Sequence, residues 1–243
     1  YDIVVKGHYA RVEYNEATGR YLLKKGLDAN KDQSYVLYHL TQHQLAHTLM
    51  PLAGMEKSEA RELAREAGLP VAHKPDSQEI CFVPHDDYKA YLREKNPSCL
   101  LPGDIVDRQG RVLGRHEGVP LYTIGQRKGL GIAAAEPLYV VALDMVKNQV
   151  VVGAAGDVFA SGLIAGDLNW IAVDELTAPM RCAAKIRYGK NEGMARLTPH
   201  SDGRLQVDFD ENQRAVTPGQ SVVFYDGDIV IGGGVIETVM HHV

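Results

Sequence analysis

Cysteine is scarce in this chain. There are three among 243 residues, Cys81, Cys99 and Cys182, unevenly spaced and without a CxxC pair. No metal-binding spacing emerges, and a structural metal is not expected despite ten histidines. No apolar run approaches the length of a membrane span, so no membrane partner is expected. There is no signal peptide and no initiating Met. Few cysteines and no signal point to a reducing, cytoplasmic setting. No glycine-rich loop leads into a helix that could cradle phosphate: Gly129-Leu130-Gly131 and Gly232-Gly233-Gly234 sit in β-rich stretches. Positive charge is also short overall, with 26 Lys and Arg against 31 Asp and Glu for a net charge of −5. That argues mildly against a nucleic-acid partner, although global charge is a poor guide where cations cluster. They cluster at Arg181, Lys185, Arg187, Lys190 and Arg196, a stretch whose only acid is Glu192. Taken alone, such a stretch is more often a solvated strand face.

What is present is an ordinary globular composition, 45% hydrophobic and 23% charged. The chain opens on Tyr1-Asp2-Ile3-Val4-Val5, which reads as a buried strand, and a chain opening inside a strand reads as a piece of something longer. Residues 9–14 and 20–24 predict a hairpin. Asn30 is placed to cap a helix from Lys31 to about Leu40, with a second short helix over 42–50. Ser58 caps a helix to Ala67 that Gly68 stops, and residues 86–95 form another amphipathic helix. Beyond Asn96-Pro97-Ser98 no strong helix follows. Short strands are predicted at 103–106, 111–114, 138–143 and 149–152. From Gly162 onward six alternating stretches, with turns at Ser201-Asp202-Gly203 and Asp226-Gly227-Asp228, predict a closed barrel or sandwich.

The stretch Asp76-Ser77-Gln78-Glu79-Ile80-Cys81-Phe82 joins the helical region to the β-rich one. Pro75 biases Lys74 away from helix, and Ile80 to Val83 read as a short strand that Pro84 stops. A thiol at the mouth of such a strand, beside polar groups, is open to pKa tuning and access. On residue type alone the favoured reading of Cys81 is a small hydrophobe in a half-buried strand.

The same stretch resembles the signature around the second catalytic cysteine of the tRNA-specific 2-thiouridylases, the MnmA family. Gly7-His8-Tyr9-Ala10, Asn30-Lys31-Asp32-Gln33-Ser34-Tyr35, Gly125-Gln126-Arg127-Lys128-Gly129-Leu130-Gly131, Ile186-Arg187-Tyr188 and Pro218-Gly219-Gln220 also resemble family motifs, in the family's order and across almost the whole chain. The resemblance implies an α+β multidomain fold. It would comprise the C-terminal remnant of an α/β PP-loop domain (adenine nucleotide alpha hydrolase-like) over 1–95, a small β-rich central domain over 96–160, and an antiparallel, tRNA-binding β-barrel over 161–243.

The implied activity is that of a sulfurtransferase. The C2 oxygen of the wobble uridine is adenylated with ATP, and a cysteine persulfide then supplies sulfur to C2 as AMP leaves. A carbonyl oxygen leaves poorly, so it is activated first, and the sulfur must be a thiolate-like species close to that carbon. Cys81 matches the persulfide-carrying cysteine, and Gly7 is the one nucleotide contact that carries over. The family's phosphate loop and other cysteine would lie before Tyr1, so the chain as given is expected to be inactive alone. Lys31, Asp32, Gln33, Arg187 and Tyr188 match tRNA contacts, with weaker signals at His8 and Gln220. Gln126, Arg127 and Lys128 form a basic loop suited to following RNA backbone. A protein sulfur donor is the other implied partner. From the residues alone, stretches like Lys31 to Gln33 are mostly capped surface helices and an Arg-Tyr pair like Arg187-Tyr188 is more often a structural strand end, while Gly7 also reads as a plain turn glycine. Two other functions stand beside this one. One is a non-catalytic RNA-binding β-barrel. The other is a cysteine hydrolase pairing Cys81 with His85 or His73, for which no oxyanion-hole or His-Asn signature is present.

Overall fold

The computed structural model describes residues 2–73, 83, 87–189 and 192–241. In chain order the elements are β1 (Val4–Val5), β2 (Ala10–Asn15), β3 (Arg20–Lys25), α1 (Ser34–Leu37), α2 (Gln42–Ala46), β4 (Thr48–Leu49), α3 (Lys57–Glu66), α4 (Tyr88–Lys95), β5 (Gly103–Asp107), β6 (Val112–His116), β7 (Tyr139–Asp144), β8 (Gln149–Gly153), β9 (Phe159–Trp170), β10 (Met180–Lys185), β11 (Gly193–Pro199), β12 (Leu205–Arg214), β13 (Ser221–Asp226) and β14 (Ile229–Met240). They fall into two compact units. One comprises Tyr1–Lys74, Ser161–Gln213 and Thr217–Val243; the other comprises Pro75–Ala160 and Arg214–Val216. Among the described residues no helix is long and apolar enough to cross a membrane.

The first unit is built on a closed six-stranded antiparallel barrel, in which the run β13-β10-β11-β12-β9-β14 closes through β14 back onto β13. Period-two alternation drives it. Leu205, Val207 and Phe209 of β12 are buried, whereas the residues between them are partly exposed. The predicted hairpin forms as β2 and β3, and β3 pairs with β14. A second apolar layer, distinct from this alternation, unites Leu23, Tyr35, Leu37, Tyr38, Leu45 and Ile171 with Val223, Tyr225 and Val230. The glycine run of β14 belongs here. A Cβ on Gly233 would lie 2.5 Å from Tyr38 Cδ2 and 2.7 Å from the Val222 carbonyl oxygen, so only glycine lets Tyr38 sit against the strand.

Several expectations are corrected in this unit. The helix predicted from Lys31 to Leu40 shrinks to α1, whose N-cap is Gln33 rather than Asn30. The cause is local competition for hydrogen bonds. The Asp32 carboxylate accepts from the Gly26 and Ser34 N–H groups, at 3.2 and 3.1 Å, and from the Ser34 hydroxyl at 2.8 Å. The helix predicted over 42–50 ends at Ala46, and Thr48–Leu49 instead pairs in parallel with Val4–Val5. That opening strand is not buried: Val4 and Val5 are 49% and 64% exposed. The third helix starts at Lys57 rather than being capped by Ser58, because the Glu59 carboxylate accepts from the Glu56 N–H at 2.8 Å. It ends as expected, with Gly68 at φ 68°.

The second unit holds a four-stranded sheet in the order β6-β5-β8-β7, antiparallel except for the parallel β5–β8 pair. Ile105, Val140, Val150 and Val152 form its core with Val119 and Val158. The predicted helix over 86–95 begins two residues later, as α4, with the Asp87 side chain accepting from the Ala90 N–H at 2.9 Å.

Candidate nucleic-acid interface

The end of β10 sets the geometry. Cys182 and Ala184 are buried, so Lys185, the last residue of β10, points to the other side of the strand; the buried Ile186 and the partly exposed Arg187 follow it. An Arg187 Nη2 group donates to Thr217 Oγ1 at 3.0 Å. Thr217 opens a turn closed by the Gln220 N–H on the Thr217 carbonyl at 3.2 Å, with Gly219 at φ 82°. The carbonyl of the next residue, Ser221, accepts the Tyr35 hydroxyl at 2.8 Å. The Tyr35 ring lies 6.4 Å from the Tyr188 ring at 56°, and Lys185 Nζ stands 6.0 Å from the Tyr35 centroid. Three motifs far apart in sequence therefore meet around Tyr35. Burial, reinforced by Tyr38 and opposed by the Arg187 charge, pushes the Tyr35 hydroxyl up to about 12, so it remains a neutral donor. Tyr188 keeps 47% of its surface exposed.

A fourth motif is tied in through Gln33. Its side-chain oxygen accepts from the Tyr9 N–H at 3.0 Å, and its own N–H donates to the Tyr9 carbonyl at 2.9 Å. Gln33 thus fixes the His8-Tyr9 segment to the segment carrying Lys31. Asp32 is 8% exposed and faces inward, and the Ser34 hydroxyl it holds lies 3.2 Å from the Tyr225 hydroxyl. Its carboxylate orders the segment. Lys31 is partly exposed. His8 Nδ1 and Gln220 Oε1 are buried with no hydrogen-bond partner recorded among the described residues. Burial, with help from Lys6, lowers the His8 pKa from its ordinary value. Gly7 is exposed, and a Cβ there would meet only Leu52 Cδ1 at 3.7 Å, so no neighbour among the described residues demands a glycine.

The basic stretch is less free than its sequence indicates. Arg181 forms an ion pair with Asp210, a residue of the neighbouring acidic stretch. Glu192 pairs with Lys25 at 2.6 Å, and that lysine stands 4.5 Å over the Tyr225 ring. Lys190 lies outside the described residues.

In the other unit, the Gly125–Gly131 loop presents exposed Arg127 and Lys128. Gln126 braces it, accepting from the Thr123 N–H at 3.0 Å and donating to the Lys128 carbonyl at 2.9 Å. Gly125 at φ 88° and Gly129 at φ 76° take backbone conformations that favour glycine.

Cys81, together with Asp76, Gln78 and Glu79, lies outside the described residues. Of the other thiols, Cys99 is partly exposed, whereas burial pushes Cys182 up to about 12 and makes it a poor thiolate. The sequence shows Tyr35 inside a motif and Lys185 inside the basic stretch but gives neither a role of its own, and nothing in it singles out Thr217. The usable signal was strand alternation, which puts Lys185 on the side away from Cys182 and Ala184.

Comparison with known proteins gives these motifs a common origin. Three family profiles match successive parts of the chain: tRNA methyl transferase HUP domain over residues 1–85, tRNA methyl transferase PRC-barrel domain over 89–154, and aminomethyltransferase beta-barrel domain over 160–236. The tRNA-specific 2-thiouridylase MnmA 1 of Thermoanaerobacter sp. (strain X514) is 56% identical over 234 residues, which cover 96% of this chain and 64% of that protein. The tRNA-specific 2-thiouridylase MnmA of Halothermothrix orenii is 51% identical over 236 residues, 97% of this chain and 66% of that protein. That of Moorella thermoacetica is 53% identical over 238 residues, 98% of this chain and 67% of that protein. The chain thus spans about two thirds of the length of these relatives. The matched domains are named for methyl transfer and the relatives for thiolation, but the alignment to the Moorella protein leaves out only about 2% of this chain and so takes in nearly all of the three matched regions. This chain belongs to the tRNA-specific 2-thiouridylase MnmA family.

Proposed function

We propose that this chain is the tRNA-recognising portion of an enzyme that thiolates C2 of the wobble uridine, with Cys81 carrying the transferred sulfur as a persulfide. The observation that supports this reading best is the convergence on Tyr35. Its hydroxyl rests on the Ser221 carbonyl at 2.8 Å, beside Gln220, and its ring lies against Tyr188 and near Arg187. Arg187 can fork onto phosphate or a base edge, and the exposed Tyr188 ring can stack on an unpaired base. Lys31 extends the phosphate contact of the first unit, where Gln33 and Asp32 order the segment from behind, and Arg127 and Lys128 offer the second unit a phosphate contact of its own. Residues 1–95 are assigned to the catalytic PP-loop domain, 96–160 to the central domain and 161–243 to the tRNA-binding barrel.

ATP, when bound, supplies the adenylyl group that turns the C2 oxygen into a leaving group. The described residues do not form a phosphate cradle: Gly232–Gly234 lie within β14, and the Gly129–Gly131 turn is followed by β7. Gly7 is the one residue assigned toward the nucleotide, and the chain by itself is expected to be inactive. The persulfide is charged by a protein sulfur donor, and the reaction belongs in the cytoplasm.

The experiment is Cys81→Ser in the protein at its relatives' full length, with 2-thiouridine and tRNA affinity both measured. Thiolation is lost while affinity stays nearly unchanged, and Cys99→Ser retains activity. Normal thiolation by the Cys81→Ser protein ends the assignment. Tight tRNA binding by the unsubstituted full-length protein without any thiolation favours the non-catalytic RNA-binding module.

A further inference from the structure

We infer that Lys185 is a further phosphate-contacting residue of the RNA interface and that Tyr35 is the positioning residue that holds it there; the inference rests on the tRNA-binding reading above. Lys185 ends β10 and Arg187 lies two residues on, past the buried Ile186; both cations are partly exposed and both lie near Tyr35. Other cations near this edge are already committed, Arg181 to Asp210 and Lys25 to Glu192. Among the described residues no ion pair is recorded for Lys185, whose ammonium instead stands 6.0 Å from the Tyr35 ring centroid.

Tyr35 is well suited to that task. It is 8% exposed, and its hydroxyl is spent on the Ser221 carbonyl at 2.8 Å. A ring fixed at both ends gives the lysine stem a surface to lie along and attracts the ammonium to its face. The same ring is 6.4 Å from the exposed Tyr188 ring and feels the Arg187 charge, so Tyr35 links Lys185, Arg187 and Tyr188 in one neighbourhood. A base stacked on Tyr188 then carries its neighbouring phosphates toward the two cations. An exposed ring, Tyr188, beside a neighbourhood that holds two cations suits an unpaired nucleotide better than an acidic peptide, which offers charge but no flat face to stack. Because Lys185 is held before RNA arrives, less side-chain freedom is lost on binding.

The test titrates labelled tRNA with the chain across a series of KCl concentrations, comparing the unsubstituted chain with Lys185→Gln, Lys185→Arg and Arg187→Ala. Lys185→Gln lowers the slope of log affinity against log salt by about one. Lys185→Arg restores the slope, which a merely structural role for the lysine would not require. Tyr35→Phe keeps the ring and the slope. Tyr35→Leu lowers the slope as Lys185→Gln does, and adding Lys185→Gln to it lowers the slope no further. Trp170 emission, from the single tryptophan, checks that each variant is folded. An unchanged slope in Lys185→Gln, with a reduced one in Arg187→Ala, overturns the inference and leaves the RNA-binding reading standing. Failure of the unsubstituted chain to bind tRNA overturns that reading as well.

Discussion

The two units of this molecule are assembled in opposite ways. The second is one continuous run, Pro75–Ala160, plus Arg214–Val216. The first joins three stretches, and its cross-links span most of the sequence. Arg20 Nε donates to the Ile171 carbonyl at 2.8 Å, Asn169 Nδ2 to the Tyr38 carbonyl at 2.6 Å, and the Tyr35 hydroxyl to Ser221. Long-range closures cost chain entropy and slow folding, so a unit built from them relies on packing and polar ties formed late. The candidate site follows the same division. The tip of the second unit's basic loop is braced locally, with the Gln126 side chain bonded to residues two and three positions away, while its base is tied to Val140 and Arg214. In the first unit, Tyr35, Arg187, Tyr188 and Gln220 meet only because distant segments do. The lesson is that in the first unit the binding residues themselves meet through tertiary structure, whereas in the second neighbouring residues of one turn present them and tertiary bonds hold only its base.

The largest stability effect should therefore fall on a polar tie in the first unit. Asp32→Ala strands three donors, the Gly26 and Ser34 N–H groups and the Ser34 hydroxyl, around a carboxylate site that is 8% exposed. A loss of about 3 kcal/mol is expected. The matched change in the second unit is Asp157→Ala. Its carboxylate is 25% exposed, accepts from the Ala154 N–H at 2.9 Å and pairs with Arg108. About 1 kcal/mol is expected there. Urea unfolding followed by circular dichroism measures both, and equal losses would remove the contrast.

Alkaline pH should separate the units next. Tyr35 ordinarily titrates near 10 and is pushed up to about 12 in the fold, chiefly by burial. The folded state keeps a proton that the unfolded chain releases, so this contribution is complete below pH 10 and fades as pH rises toward 12. Tyr225 is shifted in the same direction, mainly by burial, and Cys182 reaches about 12. In the second unit Tyr88 and Tyr122 are raised by burial, without a large shift. Between pH 9 and 11.5 the Tyr35 contribution alone falls by about 2 kcal/mol. Trp170, the single tryptophan, lies in the first unit and reports its unfolding. Tyr35→Phe should lose less stability over that interval than the unsubstituted chain. An identical pH dependence would mean that Tyr35 ionises freely in the fold.

Much of this fold was legible in the sequence because its strands alternate cleanly. The β2–β3 hairpin, the β12 pattern of Leu205, Val207 and Phe209, and the turns at Ser201-Asp202-Gly203 and Asp226-Gly227-Asp228 all follow from local chemistry. What was not legible depended on partners far along the chain. Residues 31–40 have the composition of a helix, but Asp32 and Gln33 bind Gly26 and Tyr9 instead. The basic stretch looked free because Asp210 lies on another strand in the sequence, whereas β11 and β12 bring it to Arg181. At the site, the motif residues could be named from sequence, but not the ring that gathers them, because Tyr35 acts through contacts with residues more than a hundred positions away.

The smallest expected effect sharpens the comparison most directly, because it sets one cation from each unit against the other. Arg187 is held by Thr217 at 3.0 Å before any ligand arrives, whereas Arg127 stands exposed on its loop. If both meet phosphate, each contributes about one unit to the salt slope of tRNA binding, since the slope counts neutralised phosphates rather than their surroundings. Affinity should still distinguish them. Immobilising a long side chain costs about 0.5–1.5 kcal/mol, a cost Arg187 has largely met in the fold and Arg127 meets on binding. Arg187→Ala should accordingly weaken tRNA binding about tenfold at moderate salt, and Arg127→Ala several-fold less, with similar changes of slope. Lys31→Ala, on the first unit, should also lower the slope by about one. Titrating labelled tRNA at stepped KCl concentrations gives slope and affinity together. Equal affinity losses for Arg187 and Arg127 would show that pre-ordering in the first unit contributes nothing to recognition. Unchanged slopes in all three variants would return these residues to the solvated surface.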